Sequence, residues 1–146
     1  MEKLTKKREY IQEFKKYGAI GEHEFVLPLD AFFEWADSGS IGYNLSIEEP
    51  YIPLFYQTFK QIRDLPEVED IFVGIMDINE GDDDYWFSSD TVYVIGTLPK
   101  EKLWEIMKAV QPEIFPDEIT EGWCDQPPIN LPYEIPSSKV LCMWWD

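Results

Sequence analysis

The chain has 146 residues, of which 45% are hydrophobic and 16% aromatic, a composition typical of one folded domain spanning 1–146. Its 29 Asp and Glu residues outnumber its 12 Lys and Arg residues, and the resulting net charge of −17 disfavours nucleic acid and anionic membranes as partners. No apolar stretch approaches the roughly 18 residues of a membrane helix, and the basic N-terminus lacks the apolar run of a secretory signal. We therefore expect a cytoplasmic protein.

The charge is unevenly distributed along the chain. Residues 1–17 carry six basic residues against three glutamates, a balance of +3, so the remaining 129 residues carry −20. We predict a basic N-terminal helix within residues 1–20, set apart from an α+β core at 41–145. A core of this charge should attract a basic protein.

The predicted elements begin with a helix over residues 3–17, because apolar residues recur there at three- and four-residue spacing and Gly18 follows. A short extended segment at 24–27 precedes Pro28, and a short helix follows at 30–35. After a turn, the strict alternation of apolar and small or polar residues predicts a strand at 41–47.

The second half of the pattern alternates strands and amphipathic helices. A helix at 53–65 has its apolar residues on one face, and a strand at 68–78 follows. Next come a β-branched strand at 91–96, a helix at 99–110 with proline at its first position, and a last strand at 139–145. This β-α-β-β-α-β order predicts a ferredoxin-like antiparallel sheet with both helices on one face.

Residues 111–138 are too long for a simple connection between the last helix and the last strand. They contain six of the eleven prolines, interleaved with large apolar residues. Because that apolar content is unusual for a disordered linker, we predict an ordered, proline-rich excursion that wraps the sheet.

An acidic segment at 77–84 separates the two central predicted strands. Clustered carboxylates can bind Ca²⁺, but Gly81 lies one position early for an EF-hand loop, and Ser88 stands where that loop requires glutamate. We therefore expect no metal ion and no cofactor, and interpret the segment as a solvated hairpin loop or a protein-binding surface. The aromatic pair directly after it could provide contact area, since tyrosine and tryptophan dominate interface hot spots. The candidate partner-binding residues are Glu80, Asp82, Asp83, Asp84, Tyr85 and Trp86.

Thiol and imidazole chemistry would depend on Cys124, Cys142 and His23. Two cysteines are too few for a disulfide framework, and in the cytoplasm we expect both thiols to be reduced. Cys142 lies between apolar neighbours on a predicted strand, which favours a small buried side chain. The one histidine lies in a polar turn, so a cysteine–histidine pair is disfavoured. We predict no catalytic residues.

Short strings along the chain are shared with other small proteins. The strings are Ser40-Ile41-Gly42, Asn44-Leu45, Phe55-Tyr56, Ser89-Asp90-Thr91-Val92-Tyr93, Glu121-Gly122-Trp123 and Trp144-Trp145-Asp146. Through them the chain resembles a group of uncharacterised small bacterial proteins, over most of residues 25–146. No activity is assigned to that group, so the resemblance implies no catalytic residue. In size, acidity and aromatic content the chain is also similar to the immunity proteins of bacterial toxin systems.

Together these features favour a non-enzymatic protein-binding domain, in its most specific form an immunity-type inhibitor of a cationic toxin or nuclease. Acidic side chains of the loop Glu80–Asp84, with Glu48 and Glu49, would attract the basic partner. The alternatives are a cytosolic regulatory or scaffold domain and a small enzyme of unrecognised class.

Overall fold

Residues 2–37, 40–42, 52–110, 114–124 and 126–146 are described by a computed structural model of the chain. Within these ranges the fold is α+β. A five-stranded antiparallel sheet carries four α-helices on one face and a long irregular segment on the other. None of these helices is long and apolar enough to cross a membrane.

The helices form where the apolar residues recur with the helical period. In the third helix this spacing buries Phe55, Phe59 and Ile62 on one side. All four predicted helices are confirmed, with their ends shifted by at most two residues. They are α1 (Glu2–Lys15), α2 (Leu29–Phe33), α3 (Ile52–Arg63) and α4 (Lys100–Val110).

Three of the strands are those predicted for the second half of the chain. A fourth lies at the extended segment predicted for residues 24–27, and one short strand within the excursion is added. The order across the sheet is β1-β2-β3-β5-β4, and every neighbouring pair is antiparallel. The strands are β1 (Phe25–Pro28), β2 (Val68–Ile75), β3 (Thr91–Gly96), β4 (Glu118–Glu121) and β5 (Val140–Trp144).

The ferredoxin-like topology is not confirmed, because the strand order differs. β3 and β5 are direct neighbours, with Val94 opposite Leu141, whereas a ferredoxin-like sheet places the first strand of the unit between them. Of the residues predicted for that strand, 41–47, the structure describes the first two, and the others lie outside the described residues. Ile41 forms one isolated parallel bridge to Ser89. The sheet edges are instead occupied by β1, paired with β2, and by β4, paired with β5.

One face of the sheet packs against the helices. Val73 and Val94 point to this side and are 0% and 1% exposed. Phe59 of α3 and Leu103 and Met107 of α4 belong to the same core cluster. Both helices therefore cover the same face, as the sequence predicts.

The opposite face is covered by the later part of the proline-rich excursion, through Trp123, Leu131 and Ile135, so the excursion wraps the sheet as predicted. The Trp123 ring lies edge-on against Tyr93, with centroids 5.0 Å apart. The Asn130 side chain accepts a hydrogen bond from the Val26 N–H (2.9 Å) and donates one to the Val26 carbonyl (2.8 Å). These two bonds satisfy backbone groups of the edge strand β1 that would otherwise be open to another chain.

A disulfide between Cys124 and Cys142 fixes the excursion to β5. The expectation of two reduced thiols is therefore not met. The physical reason is tertiary, since the excursion returns Cys124 to a Cα–Cα distance of 6.0 Å from Cys142, within the range that a disulfide requires. Cys142 itself is fully buried on its strand, as predicted.

Candidate functional site

The acidic loop, residues 79–84 after β2, is closed around a cation supplied by the chain itself. Lys7 of α1 is 2% exposed, and its ammonium donates hydrogen bonds to the carbonyl oxygens of Asn79 (2.5 Å), Asp82 (2.8 Å) and Tyr85 (2.7 Å). Burial lowers the pKa of Lys7, while the nearby carboxylates of Asp83 and Asp82 act in the opposite direction. The ammonium thus takes the central position that a bound metal ion would occupy in a loop of this kind.

Two salt bridges also join the acidic loop to the basic helix α1, and Lys3 donates a hydrogen bond to the Asp84 carbonyl (3.2 Å). Lys15 forms a salt bridge with Glu80 at 2.6 Å, and Arg8 forms one with Asp83 at 3.6 Å. The basic side chains of α1, the helix that was predicted to be set apart from the core, thus offset part of the negative charge of the acidic loop. These contacts leave the carboxylates of Asp82 and Asp84 without a salt bridge among the described residues.

The two aromatic residues after the acidic loop have opposite environments. Tyr85 is 51% exposed, whereas Trp86 is 0% exposed and packs against the rings of Tyr10 and Phe87 beneath α1. Trp86 is therefore a core residue, and its predicted role as a surface anchor is inconsistent with this burial. Its backbone N–H donates to the Asp37 carboxylate at 2.9 Å, which fixes the chain at the point where it turns inward.

A second group of exposed side chains lies beside the acidic loop, where β2 and β5 end and β3 begins. We call this surface the acidic end of the sheet and define it by Met76, Tyr85, Trp144, Asp90 and Asp146. Met76 is 60% exposed and directly follows β2, while Trp144 is partly buried at the end of β5. The surface therefore combines accessible apolar area with carboxylates. Apart from Tyr85, the residues of this surface are not apparent from the sequence, because Met76 falls inside a predicted strand and the others lie far apart in the chain.

Two cavities flank this surface and share Met76, Asp90 and Trp144 as a common wall. The larger has a volume of about 480 Å³ and also contacts Tyr85 and Asp146. The Asp90 carboxylate is held in place by the hydroxyl of its neighbour, which donates at 2.9 Å, and by the Trp144 indole N–H at 3.3 Å. A fixed carboxylate beside aromatic side chains suits the binding of an organic cation.

The smaller cavity, about 450 Å³, brings His23 and Cys124 to one site. The sulfur of Cys124 is used in the disulfide, so it is not available as a nucleophile in this structure. Among the residues that the structure describes, no three histidine, cysteine or acidic side chains are grouped as metal ligands.

Comparison with known proteins identifies relatives of unknown activity. A family model described as "Uncharacterized protein YfbO family" matches residues 5–142. A curated relative, "Uncharacterized protein YfbO" of Escherichia coli (strain K12), is 34% identical over 119 residues, covering 80% of this chain and 79% of that protein. No solved structure matches the chain. The match includes most of α1, so the resemblance extends beyond residues 25–146 to the helix that holds the acidic loop.

Proposed function

The chain belongs to the uncharacterised YfbO family, and we propose that it is a non-enzymatic protein-binding domain whose partner is a basic protein. The acidic end of the sheet is the contact surface. Its accessible apolar side chains Met76 and Tyr85, next to the carboxylates of Asp90 and Asp146, are the observation that supports the proposal. Apolar contacts of this kind give a complex its residence time, and the charges select the partner.

The distribution of the basic side chains supports the same conclusion. The seven salt bridges within the described residues engage seven different lysine and arginine side chains. None of the chain's 12 Lys and Arg residues lines the larger cavity at the acidic end. Asp37 at this cavity is paired with Lys3. The carboxylates of Asp90 and Asp146 have no salt bridge among the described residues, so their counter-charge comes from solution or from a partner.

In its most specific form the proposal is an immunity-type inhibitor. The acidic end, with the adjoining acidic loop, would cover the lysines and arginines with which a toxin or nuclease holds its substrate. The net charge of −17 favours such a partner through long-range attraction. Loss of the partner's activity at equimolar inhibitor would distinguish inhibition from binding as a regulatory or scaffold domain.

Site-specific photocrosslinking in the cell of origin tests the proposal. A photoreactive phenylalanine analogue replaces Tyr85 in one variant and Tyr133 in a matched control. Both tyrosines are exposed, to 51% and 46%, but Tyr133 lies on the excursion, away from the acidic end. We expect position 85 to form a crosslink to a single basic protein and position 133 to form none. Equal crosslinking from both positions, or an acidic protein captured at position 85, would contradict the proposal.

A further inference from the structure

We propose that the larger cavity at the acidic end of the sheet binds the guanidinium group of an arginine side chain that the partner presents. This inference rests on the proposed function and names the group that the surface recognises. The cavity has a volume of about 480 Å³, so it has room for a single side chain with its aliphatic stem.

The apolar lining of the cavity suits a planar cation. Tyr85 and Trp144 supply aromatic rings, and Met76 supplies a flexible thioether. A guanidinium group stacks on aromatic faces. It is also more weakly hydrated than an ammonium group, so its transfer out of water costs less free energy. Tyr85 and Met76 are both more than half exposed, which leaves the cavity accessible from solution.

The charges of the cavity also favour a cation. Asp90 and Asp146 contribute carboxylates, and Asp90 is already oriented by the Trp144 indole N–H. A third carboxylate at the cavity, that of Asp37, is paired with Lys3 at 3.2 Å. Two carboxylates therefore remain for the ligand, and a carboxylate can accept two parallel hydrogen bonds from guanidinium.

These features favour arginine over lysine. The ammonium group of lysine is compact and strongly hydrated, and it does not match the flat aromatic surfaces that line the cavity. In contrast, one guanidinium can stack on an aromatic ring and bind a carboxylate at its edge at the same time.

Titration of the isolated protein with small probes tests the inference without a partner. The probes are N-butylguanidinium, N-butylurea, which has the same shape without charge, and n-butylammonium. Binding is followed by NMR through the indole N–H resonance of Trp144. For a ligand of this size in a suitable site we expect a Kd of about 1 mM for N-butylguanidinium. The urea should bind at least about tenfold more weakly, and the ammonium should also be weaker.

Variants show whether binding depends on the cavity. Asp90→Asn should weaken N-butylguanidinium binding by about tenfold, while Asp64→Asn, at an exposed carboxylate that does not line the cavity, should have no effect. If Asp90→Asn lowers the melting temperature, Asp146→Asn replaces it, because Asp146 is exposed. Equal affinity for the guanidinium and the urea, tighter binding of the ammonium, or equal effects of the Asp64 and Asp90 variants would overturn the inference.

The inference and the proposed function can fail separately. If N-butylguanidinium does not bind while position 85 still crosslinks to a basic protein, the function stands and the arginine site is wrong. If N-butylguanidinium binds at the cavity but position 85 yields no basic protein, the cavity accepts a cation and the protein-binding function is wrong.

Discussion

Replacement of Lys7 by methionine should destabilise the fold by about 3 kcal/mol. The side chain is 2% exposed and holds three carbonyl oxygens of the segment 79–85. Each hydrogen bond from a charged donor contributes roughly 1.5–3 kcal/mol, and methionine has nearly the same volume but donates none. The total loss is smaller than the sum of three bonds, because removing a buried charge also removes its desolvation cost.

The assay is urea unfolding followed by tryptophan fluorescence, with stability taken from the midpoint and slope. Lys6→Met is the matched control: the side chain of Lys6 is 47% exposed, and its one salt bridge, to Glu9, is on the surface. Such a bridge contributes at most about 1 kcal/mol. A loss below about 1 kcal/mol for the Lys7 variant, or an equal loss for Lys6→Met, would refute the view that the ammonium organises the acidic loop.

Three further predictions concern the core, the disulfide and pH. Val94→Asp should cost more than about 3 kcal/mol in urea unfolding, because it places an unpaired charge at a site that is 1% exposed. Reduction of the Cys124–Cys142 disulfide, which spans 18 residues, should lower stability by about 3 kcal/mol. Mass spectrometry after alkylation of freshly lysed cells would show whether the pair is oxidised in the cell, and alkylation of both thiols would instead support the expected reduced cytoplasmic state. The Tyr56 hydroxyl donates a hydrogen bond that lowers the pKa of Asp30, so the stability that this carboxylate contributes is complete above about pH 4 and is lost as pH falls through its folded-state pKa. Asp30→Asn should remove that part of the acid dependence, worth less than about 1 kcal/mol because the side chain is 60% exposed, and an unchanged pH profile would contradict this assignment.

The local elements of the fold could be predicted from the sequence, because burial imposes a period on each of them. Apolar residues repeat with the helical period in α3 and α4, and β-branched and aromatic residues predominate in β2 and β3. The covering of the opposite sheet face by the excursion also followed from its interleaved apolar residues.

The strand order could not be predicted, because it depends on contacts between distant residues. β1 and β4 have four residues each, too few to give a distinct periodic signal. Phe25 pairs with Ile75 and Glu118 with Trp144, so these strands are defined by partners far along the chain. The extended segment at 24–27 was predicted, but not that it pairs with β2 at one edge, and β4 was not predicted. The remaining predicted strands, taken alone, led to the ferredoxin-like order.

The candidate site was predicted only in part, for the same reason. The sequence identifies the acidic loop, but not that Lys7, more than 70 residues earlier, would bind its carbonyl oxygens. It gives no sign that Trp86 points inward and Tyr85 outward, since adjacent aromatic residues in a loop have no defined period. Met76, Asp90 and Asp146 became one surface only when the ends of three strands were brought together.

The association rate of the crosslinked partner with the purified protein, measured across a salt series, tests the central claim most directly. One variant carries Asp82→Asn, Asp83→Asn and Asp84→Asn, next to the acidic end of the sheet. The control has the same net charge but loses three exposed carboxylates on or beside the helices, through Asp64→Asn, Glu101→Gln and Glu105→Gln. We predict that at low salt the loop variant associates about ten- to a hundredfold more slowly than the wild type, that the control changes much less, and that the differences disappear near 1 M salt. Equal slowing of both variants, or a rate that does not respond to salt, would show that the acidic loop does not guide a basic partner to the adjoining acidic end.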